Sequence, residues 1–168
     1  MAQQGRIARG LATALVVMFL QLSVTPTRAY AQVEEVKITV DGLTCNLCAA
    51  GLDRSLRRVG GVTAVRVVLA SQVATIRLKP GAPVAPAQLR AAVERAGQRL
   101  RGVELRLRGT LQRDSGRYQL YPAALGQVFS VRDDVKLEPL AGKVVHLRGR
   151  VMSSDAPAVE LELIDVGP

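Results

Sequence analysis

Cys45 and Cys48 are the only cysteines in a chain of 168 residues, and two positions separate them. A Cys-x-x-Cys pair can serve as a disulfide, a redox couple or a metal clip. A stapling disulfide gains most when it closes a long loop, because the entropy removed from the unfolded chain grows with loop length. A bridge this short does little stapling, so the spacing argues for thiol chemistry. Cys45 falls in the loop after a strand, and Cys48 falls in the first turn of a helix. Unpaired N–H groups and the positive end of the helix dipole favour anions there, and both thiols are expected to have thiolate character. Two thiolates with no His, Asp or Glu close by in sequence select soft ions such as Cu(I) over Ca²⁺ or Mg²⁺. A structural Zn²⁺ site needs four ligands. His146, the single histidine, lies in a distant stretch with strand alternation and reads as an exposed strand residue.

The elements that must position this pair are legible from periodicity. Val36 to Asp41 alternates apolar and polar residues, the mark of a half-buried strand. Gly42-Leu43-Thr44 breaks the alternation and leads to Cys45. Cys48, Leu52, Leu56 and Val59 then recur at helical spacing, with Asp53, Arg54, Arg57 and Arg58 on the other face. Gly60-Gly61 ends the helix. Two strands follow, carrying Val65, Val67 and Leu69, then Ala74, Ile76 and Leu78, with Ala70-Ser71-Gln72 short enough for a hairpin. Pro86 opens a second helix whose buried stripe is Leu89, Ala92, Val93 and Ala96. Val103, Leu105 and Leu107 alternate along a fourth strand. The order βαββαβ predicts an α+β, ferredoxin-like sandwich over residues 33–108, with both helices on one face of a four-stranded sheet.

After Thr110 the helical period disappears. Strands are expected at Tyr118 to Tyr121, Gln127 to Val131, Val144 to Val151 and Val159 to Ile164, with one helical turn between Asp134 and Leu140. This β-rich extension, residues 109–168, fits a small antiparallel barrel of the oligonucleotide/oligosaccharide-binding (OB) type, which needs five strands. The strand from Val103 would have to run on to supply the fifth. An open sheet extension fits the same pattern.

Residues 1–31 have the form of a signal peptide. Arg6 and Arg9 precede an apolar run from Leu11 to Val24, and Ala29-Tyr30-Ala31 supplies the small-residue cleavage pattern. The run is shorter than the ~20 residues of a membrane span. A periplasmic or otherwise exported chain, cleaved after Ala31 and then without a stable span, is the expectation. The net charge of +9 raises the question of nucleic acid. The arginines alternate with apolar residues along strands instead of clustering, so solvated strand faces explain them and no nucleic-acid partner is expected. No G-x-S-x-G, H-E-x-x-H, P-loop or dinucleotide fingerprint is present, and no enzymatic activity is expected. Asp133-Asp134 reads as a solvated turn, and Glu160 and Glu162 as the wet face of a strand.

Gly42-Leu43-Thr44-Cys45-Asn46-Leu47-Cys48, preceded by a strand and followed by a helix, resembles the heavy-metal-associated domain family and its Gly-Met-Thr-Cys-x-x-Cys pattern. That family includes copper chaperones, modules of copper ATPases and the periplasmic mercury-binding protein. The resemblance covers roughly Val33 to Arg108. It implies that Cys45 and Cys48 bind one soft ion, Cu(I) favoured or Hg(II), between two sulfurs. It also implies delivery to a metal-transporting membrane protein or another metal-accepting protein through a shared-ligand intermediate. Thr44 and Asn46 would shape the loop. Leu43 stands where the family has Met, and a Tyr frequent near the end of the second helix is missing around Gly97-Gln98-Arg99. Arg99 or Arg101 could offset the charge of a bis-thiolate complex instead. Two other functions fit the same residues: thiol–disulfide exchange, and a protein-interaction or sensor module working through the β-rich part.

Overall fold

The computed structural model describes residues 32–121, 128–132, 135–153 and 158–167. The expected signal segment, the Asp133-Asp134 turn and residues 154–157 lie outside these. The first half follows the predicted order: β1 (Gln32–Asp41), α1 (Asn46–Arg57), β2 (Val62–Val68), β3 (Val73–Leu78), α2 (Pro86–Arg95) and β4 (Arg99–Asp114). The strands lie in the order β2-β3-β1-β4, with every pairing antiparallel. Alternation along the strands turns one face inward. Val36, Ile38 and Val40 of β1 are fully buried, as are Ala74 and Ile76 of β3. Against them pack Leu52 and Leu56 of α1 and Leu89, Ala92 and Val93 of α2, the stripes expected from helical spacing. Ser55 bridges the helices inside this layer, its Oγ donating to the Ala92 carbonyl at 2.6 Å.

The second half consists of β5 (Arg117–Leu120), β6 (Val128–Val131), a 3-10 segment (Val135–Leu140), β7 (Val144–Ser153) and β8 (Ala158–Gly167). All four expected strands form, within a few residues of their predicted ends. β4 pairs with β5, β5 with β6, β6 with β8, β8 with β7, and β7 again with β4. Five strands thereby close into a barrel, which rules out the open extension. One pairing corrects the antiparallel expectation: β6 and β8 run parallel, Val128 beside Ala158 and Val131 beside Leu161. The chain crosses through the 3-10 segment and β7 between them, the intervening connection that parallel neighbours require. Leu111, Tyr118, Leu120, Phe129, Val145, Leu147 and Leu161 fill the interior, as they must in so narrow a barrel, and Leu137 of the 3-10 segment is fully buried with them. Gly149 meets a close approach there. A Cβ at that position would sit 3.1 Å from the Leu161 Cβ and 3.2 Å from the Glu162 carbonyl oxygen.

The two units share β4, which spans 16 residues. It pairs with β1 as far as Arg108, with β7 from Glu104 to Thr110, and with β5 from Leu111 to Asp114. The expected boundary between residues 108 and 109 therefore falls inside a strand. Leu105 and Leu107 are buried between neighbours on both edges, and one hydrophobic cluster runs from Val36 to Leu161. Truncation at such a position removes contacts from both halves. Leu107→Ala is expected to cost about 2–5 kcal/mol. Chemical denaturation followed by helical circular dichroism and by fluorescence of the barrel tyrosines should give one coincident transition. Separate transitions would show that the units unfold independently.

Candidate metal centre

The cysteine loop begins where β1 ends. Asp41 is the last residue of the strand, and Gly42 follows with φ +94°, a left-handed conformation that glycine adopts without a Cβ clash. Leu43, at the position where the family resemblance has Met, turns inward and joins the buried core. Cys45 is extended (φ −145°, ψ 159°) and caps α1, its Sγ accepting the Cys48 N–H at 3.1 Å. One of the orphan donors of the helix start is thus directed at sulfur. Thr44 Oγ1 lies 4.0 Å from the Cys48 Sγ. No acidic residue occupies the first turn of α1, and Arg54 and Arg57 stand in its last turn. Thr44, Cys45 and Asn46 are exposed, Cys48 is half-buried, and Leu47 is 84% exposed.

The two sulfurs are bonded to one another. The expected free thiolate pair is therefore the reduced form of this site, and the structure holds the oxidised one. The cause is local: capping the helix with Cys45 brings the two Cα atoms to 5.1 Å, within the range a disulfide bridges. The bond closes too small a loop to staple the fold, so the packing described above does not depend on it.

Two features beside the loop escaped the sequence reading. The Asp41 carboxylate accepts from Arg101 Nη2 at 2.6 Å and from Arg99 Nη2 at 3.1 Å. The hydrogen bond from Arg101, followed by that from Arg99, holds this carboxyl below its ordinary range. Both guanidinium groups expected to offset a bis-thiolate charge are thus engaged in tying β4 to the residue that launches the loop. An acid directly before a strand-ending glycine was the available signal. The second feature is Gln98, in the stretch where the family's Tyr is missing. It is buried, its Cγ lies 3.9 Å from where a Gly42 Cβ would stand, and its Oε1 has no hydrogen-bond partner among the described residues.

His146 stands on β7, half-exposed, with Nδ1 3.6 Å from Glu34 Oε1. It is the strand residue expected. Glu162 is exposed and Glu160 partly so, also as expected. Among the described residues no three His, Cys, Asp or Glu side chains are grouped to hold a metal. Once reduced, two sulfurs without a further donor suit a soft ion. No helix among the described residues is long and apolar enough to cross a membrane.

Residues 37–99 match the family model of the heavy-metal-associated domain. The chain therefore carries such a domain, and the remainder, including the barrel strands β5 to β8, lies outside the match. No curated protein matches the chain. Among solved structures, the N-terminal domain of PacS from Synechocystis PCC6803 is 29% identical, with 40% of this chain and 94% of that one covered at a TM-score of 0.36. The N-terminal domain of ZntA is 26% identical (42% and 90% covered, TM-score 0.37). The CopZ metallochaperone is 24% identical (40% and 100% covered, TM-score 0.38).

The Asp41 contact carries a pH signature. A carboxyl whose folded-state pKa is depressed adds stability above its unfolded-state pKa and loses it as pH falls through the folded value. In a carbon-detected NMR titration, Asp41 should titrate below the ordinary carboxylate range. Arg101→Gln should move it upward, and an unmoved titration would remove Arg101 as the cause.

Proposed function

We propose that the reduced chain binds a soft metal ion, Cu(I) before Hg(II), between Cys45 and Cys48 and delivers it to a metal-accepting protein. The observation that carries this reading is the placement of the pair across the start of α1 inside a heavy-metal-associated domain. Binding requires that an external dithiol first give two electrons and two protons to the disulfide, itself becoming a disulfide; the two thiols then release their protons to solvent as the ion takes both sulfurs. The N–H of Cys48 and the dipole of α1 favour the resulting anionic complex. Exposure of Cys45 and Leu47 leaves a side open through which a partner's thiolate could share the ion. A metal-transporting membrane protein is the partner class proposed. The signal-like segment supports an exported, periplasmic location, and the role is one of binding and delivery without catalysis. For the barrel we infer the OB type, on its five strands, its closure through a parallel pair, and the helical segment between β6 and β7.

Thiol–disulfide exchange is the second reading, favoured by the bonded pair at a helix N-terminus. Cu(I) competition titrations on the reduced chain beside Cys45→Ser and Cys48→Ser separate the two. Loss of either sulfur should weaken binding more than about 100-fold, beyond what loss of a supporting residue costs. Equal affinities would sink metal binding. Insulin reduction by the wild type under the same conditions would favour exchange. Point variants are preferable to deletion of residues 109–168, which would cut into the shared core.

A further inference from the structure

The sheet face turned away from both helices carries charged side chains in rows that cross β1, β4, β7 and β8. One row reads Lys37, Glu104, Arg150, Glu162, and its sign alternates at each step. Its members pair: Arg150 Nη2 lies 3.7 Å from Glu104 Oε1, and Nη1 lies 3.5 Å from Glu162 Oε2. The next row reads Glu35, Arg106, Arg148, Asp165 and breaks the alternation, placing two arginines directly opposite one another. Like charges facing across a ladder destabilise it. Glu35 and Asp165 flank the pair in this row without closing to an ion pair with either arginine. Glu35 lies 3.7 Å from Lys37 and Glu34 lies 3.6 Å from His146. Among the described residues neither Arg106 nor Arg148 has a carboxylate within 4.0 Å. The Nε of Arg148 is buried with no hydrogen-bond partner, an uncommon condition for a charged group. Both arginines line a cleft of about 330 Å³, with Glu34, His146 and Asp165 among its other walls.

We propose that Arg106 and Arg148 bind a phosphate-type oxyanion in this cleft. Two adjacent guanidinium groups offer paired N–H donors to a tetrahedral dianion. Such an anion replaces the repulsion with two charge-assisted contacts. The surroundings limit its size. The neighbouring row is already internally neutralised, and Glu34 and Asp165 repel further negative charge, so a small phosphorylated solute fits and a long polyanion does not. The site is on the opposite sheet face from the helices and does not rest on the metal-binding reading.

The full chain titrated with inorganic phosphate at constant ionic strength tests this. Saturable amide shifts centred on Arg106 and Arg148, and a rise in Tm with phosphate, are the expected results. Arg106→Gln and Arg148→Gln should each weaken binding about tenfold, while Arg66→Gln, an exposed change on β2, leaves it unchanged. Without phosphate, Arg106→Gln should raise Tm by relieving the facing charges. Because this side chain is exposed, the variant keeps the core intact even if Arg148→Gln folds poorly. The proposal is overturned if phosphate acts no differently from chloride, if the variants bind as tightly as wild type, or if Arg106→Gln lowers Tm. Tighter binding of single-stranded DNA than of phosphate would overturn it too.

Discussion

Between Glu104 and Arg108, β4 has both edges occupied, by β1 on one side and β7 on the other. A strand in that position cannot slip by one residue without turning Leu105 and Leu107 out of the core and Arg106 into it. That register constraint fixes the whole molecule. The inward face of β4 meets the helices near Val103 and becomes barrel wall by Leu111, without a change of side. The continuous apolar layer that results leaves no seam at which the sandwich and the barrel could part.

The same strand ties the cysteine loop to this frame. Its first residues, Arg99 and Arg101, hold Asp41 at the point where β1 gives way to Gly42. The loop is thus anchored at one end by an ion-paired carboxylate and at the other by the first turn of α1. Buried Leu43 closes it from below. What stays exposed is the short stretch from Thr44 to Leu47 that carries Cys45, with Cys48 half-buried behind it.

β7 extends beyond its last pairing with β4 at Arg150 and ends at Ser153, so the barrel wall reaches toward the end of the sheet that bears the loop. Leu100, Gly102 and Val103 of β4 share a cleft of about 290 Å³ with Val151, Met152 and the near side of α2. Barrel and sandwich therefore share one core and together line this open flank. On the opposite face the charged rows change from neutral pairing to facing arginines within two residues, a contrast that depends on register rather than on composition.

The sequence by itself determined the elements and the chemistry of the loop. Period-two and period-3.6 patterns depend on nearby residues, as do the glycine before Thr44-Cys45 and the proline that opens α2. The pairing of Cys45 with Cys48 was also within reach of local reasoning, but entropy spoke against a staple, and only the capping geometry showed that the sulfurs meet. Everything that depends on which strands become neighbours was decided by tertiary structure. Nothing local tells β6 to lie parallel to β8, brings Arg101 to Asp41 from 60 residues away, or sets Arg106 opposite Arg148. Those contacts arise because β4 must bury one face against two different partners, and a single strand can do so in one register only. Cys45 and Cys48 supplied the chemistry in the sequence, and the shared strand supplied the frame that holds it.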